Sequence, residues 1–200
     1  MTLYADLAGA GLGLIDDYLP AKRVRALAAC AEARRACGGF RAARIGAPER
    51  MRKDAAVRGD STCWLDAPLA PAELQLFADL EALRLELNRE LGLGLFELEA
   101  HYARYPAGAA YQRHVDQPQG RGRRLLSLVL YLNEGWDAAS GGQLRLFEAG
   151  AAPVDVLPIA GRLVCFLSSG REHEVLPSMR ARWSVTGWFL SRDHAMAVAR

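Results

Sequence analysis

From Leu95 onward, apolar and polar residues alternate in short runs broken by Gly, Pro, Asn and Asp, the pattern of successive strands. The runs predict strands over 95–105, 109–115, 124–132, 143–147, 161–167 and 182–190. Within the third, "LLSLVLYLN" is almost wholly apolar, as expected of a strand buried on both faces. Upstream the period is helical. "GLGLIDDYLP" reads as a short strand, after which Pro20 opens a helix that Gly38-Gly39 stops. A second helix starts near Pro71, carries Leu76, Leu80, Leu83 and Leu87 on one face, and ends at Gly92. Residues 40–70 read as strands and loops around "RGDSTCWLD". Helices first and many strands afterwards predict an α+β, mainly β chain: a sandwich or open barrel buttressed by N-terminal helices.

Composition narrows the partners more than the fold. The chain has 200 residues, enough for one domain with a sizeable core, and no repeat or linker divides it. A net charge of +2 argues against nucleic acid, although Arg113, Arg121, Arg123 and Arg124 cluster in a way that suits an acidic substrate or a solvated loop. Cys30, Cys37, Cys63 and Cys165 lack CxxC spacing, so reduced and mostly buried thiols in a cytoplasmic protein are expected. The N-terminus, with Asp6 and only the short apolar run "GAGLGLI", reads as neither signal peptide nor membrane span.

"YQRHVDQPQGRG" places His114 and Asp116 two residues apart, on one side of a strand that Pro118 and Gly120 should end. Alone, such a pair is usually chance. Of the four histidines, His173 is the best third ligand, because it immediately precedes another strand; His101 reads as a satisfied core or rim residue and His194 as a solvated one. Glu172 and Glu174, flanking His173, should turn away from a metal. Two imidazoles and one carboxylate on one face leave positions open for a bidentate cosubstrate and dioxygen, which suits Fe(II). Zinc hydrolysis is the metal alternative, without an HExxH to support it.

Alternation in "RWSVTGWFL" puts Arg182, Ser184, Thr186 and Trp188 on one face. Polar groups facing inward are costly unless they meet a polar ligand. A guanidinium grips a carboxylate through two parallel hydrogen bonds, so Arg182 fits the far carboxylate of 2-oxoglutarate; a structural ion pair is the plain alternative.

With these residues in place, the sequence resembles the iron- and 2-oxoglutarate-dependent prolyl hydroxylases of the oxygen-sensing, hypoxia-inducible-factor type, as a bacterial member. The likeness runs through "GLGLIDDYL", "VRGDSTCWLD", "YPAGAAYQRHVDQPQGRGR", "YLNEGWDAASGGQLRLF" and "HEVLPSMRARWSVTGWF", roughly residues 11 to 193. The resemblance implies a double-stranded β-helix (jelly-roll) core over 95–193, supported by helices over 1–94, in a single catalytic domain. It implies iron on His114, Asp116 and His173, and 2-oxoglutarate held by Arg182 and Tyr131. Tyr105 would lie near the keto-acid end, and Thr186 and Trp188 would line the pocket, Trp188 also touching substrate. Arg123 or Arg124 would stand at the substrate rim; the run from Arg123 to Tyr131 is one residue longer than in the animal enzymes, which leaves that choice open. "RGDSTCW" would form a mobile loop closing over a bound peptide, with Arg58 and Asp60 in contact.

The implied cofactors are Fe(II), 2-oxoglutarate, dioxygen and ascorbate. The implied reaction is hydroxylation of a prolyl residue in a protein, with succinate and CO2 as co-products and elongation factor Tu as a first candidate substrate. No nucleic-acid or membrane partner is expected. A hydroxylase of free amino acids or other small molecules is the nearest rival, and a catalytically idle binding barrel the second.

Overall fold

The computed structural model describes residues 3–45, 52–117, 122–148 and 150–192. Along the chain lie α1 (Leu3–Ala10), β1 (Leu12–Ile15), α2 (Ala21–Ala36), β2 (Arg41–Ala42), β3 (Ser61–Trp64) and α3 (Pro71–Leu91). The strands β4 (Leu95–Tyr105), β5 (Tyr111–His114), β6 (Arg124–Tyr131), β7 (Leu144–Leu146) and β8 (Val154–Val156) follow, then β9 (Leu163–Leu167), β10 (His173–Val175) and β11 (Arg182–Ser191).

Side-chain alternation sorts these strands into two layers. In β6, Leu126, Leu128 and Leu130 join the core beneath the helices, whereas Val129 and Tyr131 join a second core facing the other sheet. The same division separates Leu163 and Cys165 from Val164 and Phe166 in β9. The resulting antiparallel seven-stranded sheet has the order β1-β9-β6-β11-β4-β3-β2, and the four-stranded sheet the order β5-β10-β7-β8. Facing sheets of this kind make the jelly roll, with the helices outside the larger one.

Helix α2 buries Val24, Leu27 and Ala31, and α3 buries Leu76, Leu80, Leu83 and Leu87, so the leucine periodicity reads out as core. Gly92 ends α3 in the left-handed region (φ 63°). Asn88 then pins the exit by exchanging two hydrogen bonds with the Leu95 backbone, at 2.7 and 2.8 Å. Glu73 is fully buried, accepts from the Ala70 amide, and takes a bidentate grip from Arg34 at 2.7 and 2.8 Å, tying α3 to α2.

Several expectations change. Helix α1 and strands β2, β8 and β10 escape the pattern because each is short. Strands β1, β2 and β3, all before residue 94, complete the larger sheet. Of the cysteines, Cys63 and Cys165 are buried, Cys30 is half-buried and Cys37 exposed, so only two fit the expectation of burial. Pro118, Gly120, Arg121 and His194 lie outside the described residues. Among the described residues, no helix is long and apolar enough to cross a membrane.

Candidate active site

His114 ends β5 and His173 begins β10, and the two are register partners across that pair of strands. His173 therefore belongs to a strand of its own in the smaller sheet; the sequence reading, which set it just ahead of β11, missed this three-residue element. Asp116 lies beyond the end of β5, in a bend, so strand alternation alone does not set its direction. Its Oδ1 stands 3.9 Å from His114 Nε2 and 3.7 Å from His173 Nε2, separations that one ion with bonds of ~2.0–2.2 Å spans. The three ligating atoms lie within 4.8 Å of one another.

The remaining polar atoms of the triad are committed elsewhere. His114 Nδ1 is 2.7 Å from the Gln112 carbonyl and His173 Nδ1 is 3.1 Å from the Arg171 carbonyl. A carbonyl only accepts, so both Nδ1 atoms carry the proton and both Nε2 lone pairs face the site. Ser127 donates to Asp116 Oδ2 at 2.6 Å and is itself 2.9 Å from Ser168 Oγ, which leaves Oδ1 for a metal. Ser127 was not singled out from the sequence. Its signal is there: a lone serine within an apolar run, on the site-facing side of β6.

Burial, reinforced by neighbouring His173, pushes the His114 imidazole down to about 4. Burial works the other way on Asp116, yet His173 and the Ser127 hydrogen bond hold its carboxyl below the usual range. Near pH 7 the set thus offers a neutral imidazole at His114 and a carboxylate, and a metal need displace no proton from either. Glu172 and Glu174 face away as expected: Glu172 pairs with Arg113, and Glu174 lies 3.7 Å from Arg145.

A cavity of about 1600 Å³ opens over the triad, lined also by Arg58, Asp60, Tyr105, Arg123, Arg124, Thr186 and Trp188, with Arg182 at its inner end. Arg182 is 2% exposed. Its Nε donates to the Gly142 carbonyl at 2.9 Å, and no carboxylate approaches it among the described residues. Its guanidinium carbon lies 5.2 Å from the Tyr105 ring centroid and 4.9 Å from that of Tyr131. Gly142 (φ 70°) permits this approach, because a Cβ there would meet Arg182 Cδ at 3.2 Å and Ser178 Cβ at 2.9 Å. Tyr131 stands behind the cavity wall, its buried hydroxyl under the influence of Arg182 but without a hydrogen bond of normal geometry among the described residues. A buried, unneutralised cation and a buried hydroxyl side by side fit a dianion reaching inward from the triad.

The rim arginines separate. A bulge inserts Leu125 between Arg124, opposite Leu190, and Leu126, opposite Phe189. The extra residue turns Arg124 onto the site-facing side, where it stacks on Trp188 at 3.5 Å and pairs with Glu99 at 2.7 Å. Arg123 instead binds Glu97 and the Ser191 carbonyl. Arg58 and Asp60 grip each other at 2.7 and 3.1 Å, with Arg58 over the Tyr111 ring. Their segment is docked on β5 through Gly59 to Ala110 and Gln112 to Val57 backbone bonds.

His101 departs from the reading of a satisfied residue. It is 2% exposed and lines the cavity between Trp64 and Trp188, yet neither ring nitrogen has a partner among the described residues. Burial, then Arg58 and Arg124, push it down to about 3.

A family model described as the 2OG-Fe(II) oxygenase superfamily matches residues 100–190, which contain the triad and Arg182. Prolyl hydroxylase EGLN3 of Mus musculus is 35% identical over 164 residues, 78% of this chain and 68% of that protein. The chain belongs to the 2OG-Fe(II) oxygenase superfamily. Within it, Egl nine homolog 1 of Homo sapiens is 31% identical over 191 residues, 92% of this chain and 44% of that protein. The chain thus spans about half the length of the Egl nine homolog 1 relatives it matches. Among solved structures, a Pseudomonas putida prolyl-4-hydroxylase shares 45% identity at a TM-score of 0.86, covering 95% of this chain and 97% of the other. A prolyl hydroxylase from Trichoplax adhaerens, in complex with a hypoxia inducible factor peptide, shares the fold at a TM-score of 0.88 and 24% identity, covering 100% and 92%. Oxygenases of this superfamily use iron and 2-oxoglutarate, and the matched residues contain both the His-Asp-His group and Arg182.

Proposed function

We propose that this oxygenase hydroxylates a prolyl residue in a protein substrate, consuming 2-oxoglutarate and dioxygen and releasing succinate and CO2. The observation that carries the reading is Arg182, a buried guanidinium with no carboxylate partner among the described residues, at the inner end of the cavity that also holds the triad. Residues 1–200 act as one catalytic domain, the helical part over 1–94 supporting the jelly roll over 95–193.

His114, Asp116 and His173 hold the iron, and Asp116 serves only as a ligand. Arg182, with the Tyr131 hydroxyl, receives the distal carboxylate of the diacid. Tyr105 borders its keto-acid end, while Thr186 and Trp188 form the wall beside it. When bound, iron with 2-oxoglutarate and dioxygen supplies the oxidising power that places one oxygen atom in succinate and the other in a prolyl C–H bond. The protein's own part is to orient the diacid, exclude water and present the ring. Arg124 on Trp188 forms the rim against the substrate; Arg58 and Asp60 brace the segment beside it. Ascorbate keeps the iron reduced.

The cavity, at about 1600 Å³, exceeds the ~300–1,000 Å³ of ordinary small-molecule pockets, which favours a polypeptide over free proline. The relatives named for prolyl hydroxylation support the same choice. Elongation factor Tu, in the cytoplasm, is our own first candidate. The test is incubation with Fe(II), 2-oxoglutarate and ascorbate. Candidate proteins should stimulate succinate release and gain one oxygen atom on a proline, whereas free proline should do neither. Turnover of free proline alone would establish the small-molecule rival, and no stimulated succinate release by any protein or amino acid would leave a binding barrel.

A further inference from the structure

The chain as a whole is almost electrically balanced, with 25 basic and 23 acidic residues. The cavity is not. Among the described residues, eight cationic side chains line it against two carboxylates, Asp60 and Asp116. Most of the cations are accounted for: Arg58 by Asp60, Arg113 by Glu172, Arg123 by Glu97 and Arg124 by Glu99, while Arg182 awaits the diacid.

Three are not, and they lie together. Arg41 sits on β2, the outermost strand of the larger sheet; Arg44 follows it; and Lys53 returns beside them across the Ile45–Arg52 bridge. All three side chains are exposed and line the same end of the cavity. Arg41 donates only to the backbone carbonyls of Gly38 and Phe40, and neither Arg44 nor Lys53 has a carboxylate partner among the described residues. A cleft lined by one sign of charge concentrates ligands of the other sign.

We propose that the β2 side of the mouth is a docking surface for an acidic stretch of the substrate protein adjoining the target proline. This rests on the prolyl hydroxylase reading and adds the kind of sequence the site selects. A short acidic segment fits better than a nucleic acid. A continuous phosphate backbone crossing the mouth would also meet Glu97, Glu99 and Glu172 on the rim, where a peptide can place neutral residues. The three cations are exposed, so each contributes modestly; together they should change affinity by about tenfold at low salt and much less at 1 M, where the screening length is ~3 Å.

The test compares the wild-type protein with the Arg41→Glu/Arg44→Glu/Lys53→Glu variant, both loaded with iron and 2-oxoglutarate. The probes are two labelled peptides with one proline-containing core, flanked by Glu or by Lys, and a single-stranded oligonucleotide. Binding is read by fluorescence polarisation, and succinate release in parallel. The wild type should prefer the Glu-flanked peptide about tenfold, losing the preference with salt, and the variant should prefer the Lys-flanked one. Peptide-independent 2-oxoglutarate turnover should be unchanged. Equal or absent binding of the two peptides by the wild type, an unchanged preference in the variant, or tighter binding of the oligonucleotide than of the Glu-flanked peptide would each overturn the proposal. Charge-selective binding without succinate release from either peptide would count against the prolyl hydroxylase reading alone.

Discussion

The imidazoles of His114 and His173 stand 4.2 Å apart, centroid to centroid, because their residues are partners in the β5–β10 ladder. A sequence separation of 59 positions is thus reduced to one antiparallel step, and Asp116 closes the third side through Ser127 on the opposite sheet. The triad joins the two layers of the jelly roll.

Ser127→Ala should leave the fold intact and weaken metal binding by about 10–100-fold, the usual effect of losing a group that orients a ligand. Loss of its hydroxyl frees Asp116 Oδ2 to rotate away from the geometry seen here. Titration of the metal-free protein with Fe(II) or Mn(II) measures this directly, and unaltered affinity would show that the hydrogen bond is incidental.

Arg182→Ala should raise the 2-oxoglutarate requirement by about 1.5–3 kcal/mol, the worth of a hydrogen bond to a charged group. Metal affinity should stay near wild type, since Arg182 contributes to the cavity rather than to the triad. Saturation curves for the diacid and for the metal separate the two effects.

His101 carries a stability signature. Its folded imidazole titrates at about 3, far below the ordinary 6.5, so the unfolded chain takes up a proton first as pH falls. The stability it allows is complete above pH 6.5 and declines below it, by about 2 kcal/mol at pH 5. His101→Leu removes two unsatisfied nitrogens from the wall. The variant should be at least as stable as the wild type at pH 7 and less acid-sensitive, as read by urea unfolding at both pH values.

Glu73→Ala should destabilise the fold by about 3 kcal/mol, the low end for breaking a buried pair because Arg34 is a quarter exposed. The triad lies in the other layer, so metal affinity per folded molecule should not change. Thermal unfolding checks the first expectation and metal titration of the folded protein the second.

The long elements were legible in the sequence because periodicity accumulates over them: α3 displays its leucines at helical spacing, and β11 turns Arg182, Thr186 and Trp188 to one side. Three-residue strands such as β10 hold too few positions for a period, so His173 was placed against the wrong neighbour. Asp116 reached the site through a bend that alternation cannot describe. The bulge at Leu125 is a matter of pairing between β6 and β11, and only its outcome, Arg124 on Trp188, reveals it. His101 looked ordinary because a sequence does not report which nitrogens find partners.

The most direct test of the central claim, that one ion on His114, Asp116 and His173 and one cation at Arg182 together hold a diacid, is anaerobic calorimetric titration of 2-oxoglutarate into the protein with and without Fe(II). One diacid should bind per chain only when metal is present, with binding abolished in Asp116→Ala and weakened in Arg182→Ala. Equal diacid binding with and without metal, or binding indifferent to both substitutions, would contradict the account.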